Sequence, residues 1–303
     1  MANLFKAAFL NALSKRFGKP KQLPGSLSLF EIGNGAAHIY VRYSKIHSGN
    51  RSFYGLRKED LKQLEGFNSL ICFLWDGQSE PVFVPFADFE DVFSSLVPAS
   101  DGQFKCQIYH GDGLELYIAN AGRFSIEGFY GWGKLDGLIE LSKATTVPDF
   151  SHSQIQTFIG SIGTMKGYDI WIPVNDRRKL DWSLTDKFPC KEKLPTRYEP
   201  IADVVREVDV VWLTRGATDM SAMFEIEHST QIYSGLLRFN DLYLREPNLK
   251  PKFSIVANGV RRALFLRQIN RPTFKASGLG DVCNFLEYKD VYSWFDRTRG
   301  AIK

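Results

Sequence analysis

Apolar and polar positions change period several times along the chain, and each change predicts an element. Phe5, Phe9, Leu10 and Leu13 fall at helical spacing, which predicts a helix from about Asn3 to Phe17, stopped by Gly18 and Pro20. Residues 26–46 alternate and are rich in β-formers. They read as two strands around Gly33-Asn34-Gly35. RSFYGL continues as strand or loop, and RKEDLKQLEG is a short helix closed by Gly66. SLICFLWDGQSEPVFVPF is a second hairpin turning at Asp76-Gly77, and ADFEDVFSSL is helical. FKCQIYHGDGLELYIAN is a third hairpin turning at Gly111-Asp112-Gly113. This predicts an α+β N-terminal domain with antiparallel hairpins over residues 1–148.

KATTVPDFSHSQ reads as a linker plus a helix cap, and the texture then changes. A helix ending at Gly167, with Ser153 as its N-cap, is followed by the strand YDIWIPV and a long polar stretch over 175–199. The helix IADVVREV, the strand DVVWLT, a turn at RGATDMS and the strand AMFEIEHS come next. A helix ending before Pro247, the strand KFSIVAN, the helix GVRRALFLRQI, and a strand with a short helix in CNFLEYKDVYSWF complete the chain. This predicts an α/β C-terminal domain over 149–303, with a mixed sheet flanked by helices.

Composition narrows the class. The 303 residues are 44% hydrophobic and 24% charged, a globular balance that excludes disordered, collagenous and coiled-coil chains. There is no apolar run of membrane-spanning length, so no membrane partner is expected. Cys72, Cys106, Cys190 and Cys283 lie far apart without a CxxC, which argues against a zinc site or disulfide scaffold and for a reducing, cytoplasmic location. The net charge of +4 is unevenly spread. Residues 1–60 hold ten Lys and Arg against three acids, while residues 76–143 hold eleven acids against four bases. The basic segment interleaves Arg42, Lys45, Arg51 and Arg57 with Tyr40, Tyr43, Phe53 and Tyr54, a composition suited to phosphates and bases. An ordinary half-buried strand explains it equally well. Trp75, Asp76 and Trp132 are candidates for a base pocket, against the commoner role of tryptophan in a core.

The candidate chemistry lies at Asp209, Glu225 and Glu227. Positions i and i+2 of a strand share a face, so Glu225 and Glu227 project together. Hairpin-like pairing of the two strands brings Asp209 beside Glu225, so that three carboxylates converge at one sheet edge. Like charges so close suit a hard divalent cation such as Mg²⁺. Solvated acids on an exposed strand are the plainer reading, but Val210, Val211 and Phe224 mark these strands as central. Arg177, Arg178 and Lys179, and Arg261, Arg262, Arg267 and Arg271, are candidate phosphate contacts. His228 is a candidate base, though a structural histidine is the more usual role at such a junction.

The pattern GYDIWIP…VDVVWL…MFEIEHSTQIYSGLLRFNDL…FSIVAN…RRALFLRQINRPTF resembles the PD-(D/E)XK, or restriction-endonuclease-like, nuclease superfamily over roughly residues 150–290. The resemblance holds in element order more than in the short motif. It implies Asp209 and Glu225 as metal ligands, with Asp169 a weaker rival to Asp209. Glu227 stands in the usual lysine slot, a departure that leaves the base and metal count open. Gln231 with Tyr233 is a loose echo of the helix Gln and Tyr of some members. The implied activity is a Mg²⁺-dependent, site-specific endonuclease of type II restriction kind, with Mn²⁺ an acceptable substitute. It would act on double-stranded DNA as a homodimer at least on DNA, in restriction–modification and phage defence, with dependence on methylated cytosine as a subclass. The alternatives are a non-catalytic DNA-binding protein on a degenerate nuclease fold, and a repair or junction nuclease.

Overall fold

A computed structural model describes residues 4–111, 113–144, 150–216, 219–228 and 232–301. The chain divides into two compact units, Met1–Thr146 and Val147–Lys303.

In the first unit the order is α1 (Leu4–Phe17), β1 (Lys21–Gln22), β2 (Leu29–Ile32), β3 (Ala37–Ser44), β4 (Ile46–His47), β5 (Arg51–Arg57), α2 (Lys58–Lys62), β6 (Ser69–Trp75) and β7 (Val82–Pro85). Then come α3 (Glu90–Ser95), β8 (Gln103–His110), β9 (Leu114–Ile118), β10 (Gly122–Ser125) and α4 (Gly133–Ala144). An inner sheet runs β1-β2-β3-β6-β7 and an outer sheet β10-β9-β8-β5-β4. All pairs are antiparallel except β3 with β6. The inner sheet is covered on both faces, which is why SLICFLW is apolar at nearly every position. Ile71, Phe73 and Trp75 of β6 meet Tyr54 and Leu56 of β5 and Phe104, Cys106 and Ile108 of β8. Leu70, Cys72 and Leu74 face Phe9 and Leu13 of α1 and Leu135 and Ile139 of α4.

The structure adds elements to the reading of the sequence. β10 and α4 were not expected, because GRFS is very short and α4 contains Gly133 and Gly137 in a weakly amphipathic stretch. Asp112, at the expected third turn, lies outside the described residues, as do residues 145–149 of the expected linker. Trp75 is a buried core side chain, and Trp132 is half-buried against the edge of the other cluster. Trp132 packs against Phe9 and Phe83, and Asp76 accepts a hydrogen bond from Tyr43.

In the second unit the order is α5 (His152–Met165), β11 (Tyr168–Trp171), α6 (Ala202–Val205), β12 (Val210–Thr214), β13 (Met220–Ile226), α7 (Ile232–Arg245), β14 (Lys252–Ala257), α8 (Arg262–Ile269), α9 (Pro272–Ser277), β15 (Cys283–Glu287) and α10 (Tyr288–Ala301). The sheet runs β11-β12-β13-β14-β15, antiparallel through the first three strands and parallel through the last three. One face carries Val211, Leu213, Met223, Phe253, Ile255 and Phe285 against α6–α9. On the other, Trp212 packs with Phe224 and Trp294, and its indole N–H donates to the Ile159 carbonyl of α5.

The N-cap of α5 is Ser151, not Ser153. Its hydroxyl accepts from Gln154 N while the Gln154 side chain accepts from Ser151 N, a reciprocal capping box. The final helix is long, not short, since Tyr288, Val291, Trp294 and Phe295 keep one face buried. The stretch after β11 is tied down by a parallel bridge of Ile170 with Cys190 and by short 3-10 turns at Arg177–Lys179 and Thr196–Ile201. Among the described residues no helix is long and apolar enough to cross a membrane.

Candidate active site

β13 is the middle strand of five, so both its neighbours are hydrogen-bonded and its side chains point into covered faces. Phe224 and Ile226 face Trp212, while Met223 and Glu225 face α7. Val210 pairs with Phe224, and continuing that register by one residue sets Asp209 opposite Glu225. Ile226 N donates to Asp209 Oδ2 at 2.6 Å. From α5, Gln156 Nε2 donates to the Asp209 carbonyl at 2.9 Å, and His152 Nε2 stands 3.6 Å from Asp209 Oδ1. Asp209 is thus fixed at backbone and side chain by two different elements.

Glu225 is 3% exposed. One carboxylate oxygen, Oε2, accepts from the Arg238 guanidinium of α7. The other, Oε1, is buried without a hydrogen-bond partner. Glu227 Oε1 accepts from Gly235 N on α7 at 3.2 Å. The three expected carboxylates thus have different partners, though the Glu227 charge still adds to the rise at Glu225. Asp209 and Glu225 form a facing pair, and Glu227 is turned into the first turns of α7, where a glycine lets the helix backbone come close. Among the described residues, no three His, Cys, Asp or Glu side chains are grouped so as to hold one metal ion.

Burial raises the Asp209 carboxyl to about 6, against the lowering pull of His152, the Ile226 N–H and Arg238, with Asp176 adding to the rise. Burial also raises Glu225 well above the usual carboxylate range, and the Asp209 charge beside it adds to this, while Arg238 opposes it. Burial acts to lower Arg238, but Glu225, Asp209 and Glu207 outweigh it and hold the guanidinium more firmly protonated. Both carboxylates are desolvated, with the Arg238 guanidinium against Glu225 and the His152 ring beside Asp209. The two carboxylates, one with an unpartnered buried oxygen, match the donor set of a hard divalent cation, which takes one or two protein carboxylates and completes its shell with waters and phosphate oxygens.

Other expected site residues separate clearly. Asp169 lies opposite Leu213, four residues along β12 from Asp209, which at the strand repeat is roughly 13 Å, and pairs with Lys191 Nζ at 3.0 Å. His228 Nδ1 is 3.3 Å from the Tyr288 hydroxyl and its ring stacks on Tyr288, a structural contact. Gln231 lies outside the described residues. Arg177 gives Nε to the Ile172 carbonyl and a terminal nitrogen to the Lys191 carbonyl, so its guanidinium is a brace for the chain after β11. Arg178 is exposed. Arg261 donates to the carbonyls of Glu227 and His228, Arg262 pairs with Glu287 at 3.0 Å, and Arg271 lies over the Tyr233 ring.

His152, Asp176 and Arg238 were missed in the sequence. Arg238 carried a signal. It stands three residues after Gly235 and one before Phe239, a cation at an inward position of an amphipathic helix.

In the first unit, Arg51 and Arg57 are on the solvent face of β5, since Tyr54 and Leu56 point into the core. Register places Arg51 beside Tyr109, Gly55 beside Lys105, Gln107 beside Tyr117 and Tyr117 beside Arg123. The solvent face of the outer sheet thus gathers basic and aromatic residues, with Arg51 over Phe53 and Arg123 over Tyr109. Arg42 belongs to the inner sheet, over the Tyr40 ring, and Lys45 is exposed between β3 and β4.

A family description of the C-terminal domain of the type II restriction enzyme NmeDI matches residues 138–299, more than half of the chain. The chain belongs to this family. Asp209, Glu225, Glu227 and Arg238 all lie inside the matched region. A curated relative, the type II restriction enzyme NmeDI of Neisseria meningitidis serogroup C, is 31% identical over 134 residues, which is 41% of this chain and 37% of the relative. The match thus spans little more than a third of that relative's length. No solved structure matches the chain.

Proposed function

We propose that the protein is a divalent-metal-dependent DNA endonuclease of type II restriction kind, with its cleavage site at Asp209 and Glu225. The carrying observation is the facing pair of buried carboxylates on the two strands, one with an unpartnered oxygen, inside a restriction-enzyme family match. The PD-(D/E)XK reading is supported by the order of the sheet, in which the Asp-bearing strand end and the Glu-x-Glu strand are neighbours at its centre. Mg²⁺, with Mn²⁺ as a substitute, is the group the pair would hold. When bound it supplies charge stabilisation on the phosphate and a more acidic water.

The chain's own residues do the rest. Asp209, clamped by Ile226 N, and Glu225, wedged beneath α7, fix two anionic oxygens in one place. Glu227 holds the start of α7 through Gly235 N and so positions Arg238 one helical turn further on. The solvent face of the outer sheet in the first unit, with Arg51, Arg57, Lys105 and Arg123 among Phe53, Tyr109 and Tyr117, supplies the DNA-reading surface. Cutting both strands of a duplex calls for two such sites, hence a homodimer on DNA.

A second reading, a DNA-binding protein on a degenerate nuclease fold, is favoured by one observation: Glu227, in the lysine slot, is buried and engaged with Gly235 N. One experiment separates them. Wild type and Glu225→Gln are incubated with Mg²⁺ and unmodified, cytosine-methylated and hydroxymethylated duplexes. Discrete fragments from wild type alone support the nuclease, and the DNA that is cut shows whether modification is read. Tight binding by both proteins without cleavage sinks the catalytic reading.

A further inference from the structure

Arg238 has no part in the strand pairing that builds the site, yet its guanidinium is the cation against Glu225. It also acts electrostatically on Asp209 and Glu207. Its side chain is 28% exposed, so the guanidinium lies at the margin of the site rather than sealed in the core. Glu225 is by contrast almost wholly buried, and its second oxygen has no partner. A buried carboxylate with one satisfied and one open oxygen is half-compensated, and leaving such a charge uncompensated is costly. A divalent cation held at Asp209 and the open oxygen of Glu225 would neutralise the same carboxylate that Arg238 neutralises now and would repel the guanidinium beside it.

We propose that Arg238 is an exchangeable counter-ion. It neutralises Glu225 in the metal-free protein and is displaced when a divalent cation binds, its fork of N–H donors then being given to a phosphate oxygen of the DNA. This rests on the metal-dependent reading above. An arginine suits the second task because its planar donors match a phosphate in two-point fashion.

The test uses the full chain and two variants, Arg238→Gln and Arg238→Lys, each first checked for a wild-type circular dichroism spectrum and a cooperative melting transition above the assay temperature. Mn²⁺ binding is titrated calorimetrically without DNA, and duplex DNA binding is measured with Ca²⁺ over a range of salt. The proposal expects Arg238→Gln to bind Mn²⁺ more tightly, by about tenfold, since a like charge a few ångströms away has been removed. It expects duplex binding to weaken and its salt slope to fall by about one. Arg238→Lys keeps the charge and should leave Mn²⁺ affinity near wild type while still weakening DNA binding. Tighter binding cannot come from damage to the site, and a folded Arg238→Gln with unchanged or weaker Mn²⁺ binding overturns the exchange. If wild type and Glu225→Gln bind Mn²⁺ equally, or neither binds it, the metal site itself fails and takes the proposal with it. If only wild type binds, the metal reading stands and Arg238 alone is judged.

Discussion

The Ile226 N–H donates to Asp209 Oδ2 across the β12–β13 ladder at 2.6 Å, so the backbone of the glutamate-bearing strand orients the neighbouring carboxylate. This separates the charge of Asp209 from its shape. Asn at 209 retains an oxygen for the Ile226 N–H, whereas Ala does not. Cleavage should fall by more than about 100-fold in both variants, a loss that partners one layer beyond metal ligands already reach. Ala should also be about 1 kcal/mol less stable than Asn, through the orphaned N–H. Chemical denaturation alongside the cleavage assay checks this; equal stability of the two variants would show that the hydrogen bond contributes nothing.

The raised carboxyl of Asp209 predicts a pH dependence of known sign. A group with a folded value near 6 and an ordinary value of 3.8 holds its proton more tightly in the folded state. Its ionisation therefore costs the folded state stability as pH rises from about 4 to about 6, and the loss is constant above that. The shift corresponds to roughly 3 kcal/mol at most. Without divalent cations, Asp209→Asn should thus be more stable than wild type at pH 7 by about 1–3 kcal/mol, with the difference shrinking towards pH 4. Adding Mn²⁺ should stabilise wild type preferentially. Denaturant midpoints of both proteins across pH 4–7 give the answer, and a difference that grows towards acid pH reverses the sign argued here.

How legible this was depends on the kind of interaction. Asp209 and Glu225 were readable because two apolar strands separated by a short turn pair as neighbours, and alternation then fixes the faces. The face of Glu227 was readable too, but its engagement was not. That depends on the approach of α7, set by Gly235 packing over Glu225, Glu227 and Ile255. Arg238 and His152 come from separate helices, and no local period predicts which helix end meets which strand. The polar stretch over 175–199 looked unstructured because its order comes from single ties, such as Arg177 to two carbonyls, which leave no periodic trace.

Gly235 supplies a direct test of that approach. A Cβ there would stand 2.8 Å from Glu227 Oε1, 3.1 Å from Glu225 Cβ and 3.1 Å from Ile255 Cδ1. Glu225 Cβ is fixed by its strand, and Glu227 Oε1 can retreat only by giving up its bond from Gly235 N. Gly→Ala inside an exposed helix gains about 1 kcal/mol, and overpacking typically costs about 1–3 kcal/mol. Gly235→Ala should therefore be destabilised on balance and lose cleavage with it. Gly137→Ala in α4, where an added Cβ meets nothing within 4 Å, is the control and should be neutral or stabilised. Melting curves of the pair suffice, and a Gly235→Ala protein as stable as the control would mean that α7 does not press on the two glutamates.

The outer sheet's solvent face makes a separable prediction about DNA. Arg51 and Tyr109 are cross-strand partners on that face, while their chain neighbours Ser52 and Ile108 are buried beneath it. Both side chains are half-buried and make ring contacts on that face, Arg51 with Phe53 and Tyr109 with Arg123 and Tyr117, so each replacement should cost no more than about 1 kcal/mol of stability. Arg51→Ala should weaken duplex binding across all sequences and lower the salt slope by about one, as expected for a phosphate contact. Tyr109→Ala should weaken binding without changing the slope, since a stacking ring carries no counterion. Fluorescence anisotropy at several salt concentrations distinguishes the two. Unchanged affinity in both variants would move the DNA-reading surface off this sheet and towards Arg42 and Lys45, while leaving the Asp209–Glu225 site untouched, because those carboxylates belong to the other folding unit.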